Sequence, residues 1–245
     1  MSLMPLDPTD YEKARPFLPA LDDHLAARAV IEGLTPGQVY VDAPAAPRSV
    51  LIRHGRRFHL AGSAQNAAFN HALQALFDKE IYPQALAEGE RVLVLYYTSP
   101  DWENAVDVIL QDKHPMHDMR HLYRLQAPRQ DWRAALPTGF TMRPVDRALL
   151  DETELKYHDQ LVQEVQSEVP SVEHFLHRHF GRCLVGEGAA VSWCLSEYNC
   201  DQRCEVGIET VEPYQRRGLA TLTASAFVEH ALAQGITDIG WHCWA

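Results

Sequence analysis

Residues 212–222 read "EPYQRRGLATL", and this stretch decides how the 245-residue chain is read. It follows the strand-like run "CEVGIETV" (204–211) and opens fifteen residues with helical spacing. A helix N-terminus has four unpaired backbone N–H groups and the positive end of the helix dipole, a combination that binds phosphate. Gly218 lets an anion approach the backbone with no Cβ in the way. Ala220 keeps the first helical turn small, and Arg216 and Arg217 bring forked donors suited to phosphate oxygens. In a chain of net charge −11, this local reversal of sign points to an anionic ligand. No GK[ST] occurs, so the turn is not a Walker loop; no GxGxxG occurs, so it is not a Rossmann fingerprint. Taken alone, the turn also reads as a surface turn with solvated arginines.

Composition bounds the rest. A hydrophobic content of 46% with 22% charged residues builds ordinary cores, and the length suits two domains. No run approaches the 18 apolar residues of a membrane span. The opening "MSLMPLDPTD" lacks a basic region followed by an apolar core, so no signal peptide is expected and the chain reads as cytoplasmic. The acidic balance argues against bulk nucleic-acid binding. The five cysteines lack CxxC spacing and read as reduced structural thiols. In the histidine runs "HPMHDMRH" (114–121) and "HFLHRHF" (174–180), His117 and His121 have the i, i+4 spacing of a zinc helix, but that stretch reads as a loop running into a strand and the histidines read as surface or satisfied core residues, so no metal is expected. Glu168 and Glu173 flank an expected loop at 167–172; with Asp159 and Glu164 they read as a solvated face or, less simply, as an attraction for a cation.

Periodicity predicts a hairpin over 37–62 with His54-Gly55 at its tight turn, a helix over 64–79, a strand over 91–97, a helix over 102–110 and a strand over 120–126. Residues 127–139, polar and broken by two prolines, read as a linker. Beyond it come a strand over 140–145, a helix capped by Asp146, a helical region over 171–181 and a hairpin over 182–197 turning at Glu187-Gly188. The strand over 204–211 follows, then a helix over 219–233 terminated by Gly235 and a last strand over 238–245.

With its flanks, "IETVEPYQRRGLATLTASAFVEH" (208–230) resembles the acetyl-CoA pyrophosphate-binding segment of the GCN5-related N-acetyltransferases. Their signature Q/R-x-x-G-x-G/A is matched by Gln215, Gly218 and Ala220. The wider pattern resembles a two-domain subgroup that includes a self-resistance acetyltransferase for an aminopolyol antibiotic. The resemblance implies an α/β (α+β) fold, an acyl-CoA N-acyltransferase-like mixed sheet flanked by helices. A smaller N-terminal α/β domain over 1–130, a degenerate copy in this reading, would precede a catalytic domain over 139–245. It implies acetyl-CoA as cosubstrate, its pyrophosphate on the amides of Arg216, Arg217, Gly218, Leu219 and Ala220, and its pantetheine arm along the backbone of Glu209, Thr210 and Val211. The implied reaction is direct attack of a primary amine on the thioester, with a small-molecule amine as acceptor. A non-catalytic acyl-CoA-binding module and a protein N-acetyltransferase remain alternatives.

Glu205 and Glu209 lie four apart in a strand, on one face with Gly207 and Val211. A carboxylate in a partly dry cleft can serve as a general base. Either Glu205 is the base, or Glu209 is base or amine anchor, or both are structural; a strand bulge would re-aim one of them. The general acid of the family, often a tyrosine, has no clear counterpart. The family domain continues with a helix and two strands after its fifth strand, whereas this sequence stops at "WHCWA". Residues 241–245 are therefore expected to form an open edge, which invites pairing with a second copy in a homodimer.

Overall fold

The computed structural model describes residues 3–245, so Met1 and Ser2 of the opening stretch lie outside the described residues. The chain divides into two compact units, Met1–Asp118 and Met119–Ala245.

The first unit begins with β1 (Met4–Pro5), a 3₁₀ stretch Pro8–Leu21 and helix α1 (Leu25–Ile31). Strands β2 (Gln38–Val41), β3 (Ser49–His54) and β4 (Arg57–Gly62) follow, then α2 (Ala67–Leu76), a π-helical turn Phe77–Ile81, α3 (Tyr82–Ala87), β5 (Val94–Tyr97) and α4 (Asp101–Ile109). The sheet order is β1-β2-β3-β4-β5, antiparallel through β4, with β5 parallel to β4. The expected tight turn is present: His54 pairs with Arg57 around a two-residue loop whose Gly55 has φ 54°. The helix expected over 64–79 runs on as α2, the π turn and α3. Phe69, Leu73, Leu76 and Phe77 recur at helical spacing and pack with Phe58, Leu60 and the fully buried Trp102 of α4.

The second unit contains β6 (Arg120–Leu125), β7 (Phe140–Pro144), α5 (Arg147–Leu150), α6 (His158–Ser167), α7 (Val172–Arg178), β8 (Gly181–Gly186), β9 (Ala189–Cys200), β10 (Arg203–Thr210), α8 (Leu219–Ala233) and β11 (Asp238–Trp244). Its sheet order is β6-β11-β10-β9-β8-β7. Local signals hold here. Asp146 caps α5 by accepting from Leu149 N. Glu187 and Gly188, at φ 53° and 70°, make the β8–β9 turn. Gly235 (φ 84°) ends α8 in a Schellman arrangement, with Ile236 N donating to Ala231 O and Gly235 N to Leu232 O.

Four sequence expectations change. Strand β6, expected with the N-terminal half, pairs antiparallel with β11 from Arg120↔Trp244 to Leu125↔Ile239 and so belongs to the second sheet. In consequence β11, expected as an open edge, is paired on both sides and β6 takes the edge. Residues 127–139, expected as a linker, are pinned: Arg133 makes two 2.7 Å bonds to Glu229 of α8, Trp132 Nε1 donates to the same carboxylate, and Trp132 and Leu136 pack on the core. Helix α6 was not expected at all; its buried stripe is only His158, Leu161 and Val165 in a polar segment.

The faces of this sheet differ. Val206 and Ile208 of β10 pack with Phe227, Val228 and Ala231 of α8. On the other face Leu161, Val165 and Phe175 of α6 and α7 pack with Trp193 and Leu195. Trp193 is fully buried, and truncating such a side chain to alanine costs about 3–5 kcal/mol. All five cysteines are free thiols, and burial pushes that of Cys183 up to about 12. No helix among the described residues is long and apolar enough to cross a membrane.

Candidate active site

Strands β10 and β11 run parallel and are joined through α8, so the chain crosses over at this point of the sheet. Their pairing covers only Arg203↔Asp238, Cys204↔Ile239 and Glu205↔Gly240. Beyond it β10 continues to Thr210 along β9 while β11 continues to Trp244 along β6. The two strands therefore splay apart, and the wedge opens toward the start of α8. Strand hydrogen-bonding groups alternate sides. Val211 N donates to Val191 O on the β9 side, so the groups of Ile208 and Thr210 face the wedge.

At the mouth of the wedge the main chain turns sharply. Residues 212–214 form one 3₁₀ turn, Arg216 is left-handed at φ 60°, and Gly218 at φ 77° is the N-cap of α8 without any side-chain cap. Among the described residues, nothing accepts from the N–H groups of Arg216, Arg217, Gly218, Leu219, Ala220 and Thr221. A Cβ at Gly218 would meet nothing within 4 Å, so the space over the turn is open. Gln215 acts locally, since its Nε2 donates to Thr210 O at 2.9 Å and ties the turn to the end of β10. Thr210 Oγ1 shares a 2.8 Å hydrogen bond with Ser192, whose hydroxyl donates to Glu209 O. The wedge-facing groups left for a ligand are thus those of Ile208 and the Thr210 N–H, a shift from the expected 209–211.

At the closed end of the wedge stands Glu205, opposite Gly240. Its carboxylate lies 3.7 Å from Nε2 of His242, and both side chains are only 12% exposed. Glu209, on the same face, is exposed beside the mouth. The expected bulge occurs, in β9 rather than β10. Arg203↔Cys200 and Glu205↔Glu197 leave two residues of β9 opposite one of β10, with Tyr198 left-handed at φ 50°. The bulge turns both Glu197 and Tyr198 toward α6. Tyr198 donates its hydroxyl to Glu168, and the Glu197 carboxylate sits over Gly207, where a Cβ would come within 2.3 Å of its Oε1 and 3.4 Å of Glu164 Oε1. Glu164 and Glu168, read from sequence as a solvated face, are half-buried here. Sequence reasoning missed His242, Glu197 and Tyr198. Only the bulge and the strand register bring them to the wedge, and neither is a local signal. Asp159 stays fully exposed, and Glu173 pairs with Arg147 outside this group.

A family model described as GNAT acetyltransferase matches residues 15–243. The chain belongs to this family. It is an acetyl-CoA-dependent N-acetyltransferase. It is 23% identical over 217 residues to the uncharacterized N-acetyltransferase YdfB of Bacillus subtilis, covering 88% of this chain and 78% of that protein. The fold is similar to a GCN5-related N-acetyltransferase-like protein from Streptococcus suis, with TM-score 0.64 and 20% identity over 96% of this chain and 88% of that one. It is also similar to a tandem GNAT protein from the clavulanic acid biosynthesis pathway, with TM-score 0.50 and 11% identity over 99% of this chain and 89% of that one. Among the described residues, no group of three His, Cys, Asp or Glu side chains is gathered as for a metal.

Proposed function

We propose that this GNAT chain transfers the acetyl group of acetyl-CoA to a primary amine of a small molecule, in the second unit alone. The observation that carries the reading is the run of open N–H groups from Arg216 to Thr221 at the mouth of the β10–β11 wedge. The pyrophosphate lies on those amides beside Arg216 and Arg217, with Gly218 giving close approach. The pantetheine arm enters the wedge along Ile208 and Thr210 as an added strand, and the thioester reaches the closed end near Glu205. There the acceptor ammonium gives a proton to Glu205, and the free amine attacks the thioester carbon. The C–N bond forms, the C–S bond breaks, the nitrogen sheds its extra proton, and the departing coenzyme A thiolate takes up one proton. A backbone N–H of β10 stabilises the developing oxyanion. The carboxylates of Glu197 and Glu164 over Gly207 support a cationic acceptor, and His242 beside Glu205 supports proton transfer at that end.

Thermal unfolding with acetyl-CoA, against a nucleotide of similar charge, tests the cofactor half. A ligand at a hundredfold over its Kd stabilises by about 2.7 kcal/mol. Thiol release with a panel of mono- and diamines tests the acceptor half. A shift with acetyl-CoA and release with amines support the reading. A shift without release from any amine would make the chain a non-catalytic acyl-CoA binder, and no shift would remove the turn from cofactor binding.

A further inference from the structure

We propose that Glu187 and Tyr214 are positioning residues that hold Arg217 ready for the cofactor's phosphates, an inference that rests on the acetyl-CoA reading of the turn. Tyr214 closes the 3₁₀ turn between β10 and the open amides, and its ring is buried edge-on against Phe140 of β7, with centroids 6.4 Å apart. Phe140 is itself held close, since a Cβ on Gly186 would fall 2.3 Å from its ring. The Tyr214 hydroxyl donates to Glu187 Oε2 at 2.8 Å. Glu187 is an exposed residue of the β8–β9 turn, far from the cofactor turn in sequence. On the ring of Tyr214 lies the Arg217 guanidinium, 5.0 Å from the centroid. Among the described residues, no carboxylate pairs with Arg217, so its charge stays available.

The chain of contacts runs from a hairpin turn, through a fixed ring, to a cation beside the open N–H groups. An exposed arginine loses rotamer freedom when it grips a phosphate; one already resting on an anchored aromatic face loses less. Glu187 never needs to touch the ligand in this arrangement. Its carboxylate fixes the tilt of the Tyr214 ring, and the ring sets where Arg217 rests.

The test is calorimetric titration of acetyl-CoA into the full chain and into Glu187→Ala, Tyr214→Phe, Arg217→Ala and the double variant Glu187→Ala/Arg217→Ala. Removing Arg217 is expected to weaken binding about tenfold, the usual scale for a lost charge-assisted phosphate contact. Glu187→Ala and Tyr214→Phe should each weaken it roughly threefold, and Glu187→Ala should add almost nothing once Arg217 is gone, because residues acting through one another are not additive. Glu187 lies on an exposed turn, so ligand-free unfolding of its variant should match the parent. Losses that multiply in the double variant, or an unchanged affinity in Glu187→Ala, would overturn the inference. Absence of binding by the unaltered chain would instead overturn the cofactor reading on which it rests.

Discussion

In the first unit β4 passes into α2 through a turn knitted by side chains; in the second β10 passes into α8 through a turn of bare N–H groups. Both turns belong to a strand–helix–strand crossover between parallel neighbours, β4–β5 in one sheet and β10–β11 in the other. In the first, Asn66 caps α2 by accepting from Phe69 N, and its amide donates to Asp42, which also accepts from the Arg48 and Ser49 N–H groups. Burial would raise the Asp42 carboxyl, but these hydrogen bonds outweigh it and hold it below the ordinary carboxylate range. Gly62 is pressed onto the backbone, with room for no Cβ beside Arg48 O at 2.1 Å. Strand β5 pairs with β4 along its whole length, leaving no wedge. The same topology thus gives a helix N-terminus with a side-chain cap in one unit and one without in the other. The Asn66 oxygen occupies the Phe69 N–H and stands where an anion would approach α2, whereas no side chain stands at the start of α8.

The largest expected effect is at the open turn. Gly218→Asp sets a carboxylate against the pyrophosphate at a left-handed position and should weaken acetyl-CoA binding at least ~100-fold, or ~2.7 kcal/mol. The mirror substitution, Asn66→Ala, should leave binding unchanged and cost about 1 kcal/mol of stability, the usual loss for a helix cap. Equal effects of the two on binding would break the contrast. Glu205→Gln should keep acetyl-CoA affinity and slow turnover with a responsive amine by roughly 10²-fold, the scale of general-base loss. His242→Gln should slow it less, by about tenfold. Unchanged turnover in Glu205→Gln would remove that residue from the chemistry.

A stability effect specific to the second unit should appear in acid. Burial holds His179 neutral, lowering its pKa to about 4, while its Nδ1 lies 3.0 Å from Ser196 O. The unfolded chain therefore binds a proton between about pH 6.5 and 4 that the folded chain refuses, and stability falls as pH drops through that window. The loss from this group is on the order of 3 kcal/mol by pH 4. Urea midpoints measured across pH 4–7 should show it, and His179→Gln should flatten the dependence. The smallest effect is expected at Gly207→Ala. Its methyl displaces only the tip of Glu197, so stability should change by less than about 1 kcal/mol while turnover of a cationic acceptor falls a few-fold.

Much of this was legible in the sequence where the signal is local. The Asp146 cap, the Glu187-Gly188 turn, Gly235 beyond α8 and the glycine turn at 215–220 each depend on a few adjacent residues, and each stands where it was expected. What escaped depends on distant pairing. Strand β6 has the same alternation whichever sheet it joins, and only its register with β11 assigns it. Residues 127–139 look like a linker because their prolines are visible, whereas the bond from Arg133 to Glu229 spans ninety-six positions. His242 and Glu197 reach Glu205 from two different strands. The wedge itself is a shortfall in pairing, which leaves no mark in composition or period.

The most direct measurement is the stoichiometry of acetyl-CoA binding to the full chain by titration calorimetry, repeated on Gly218→Asp. The contrast between the capped and uncapped turns predicts one acetyl-CoA per chain, lost in the variant. Two per chain, or binding that survives Gly218→Asp, would contradict it.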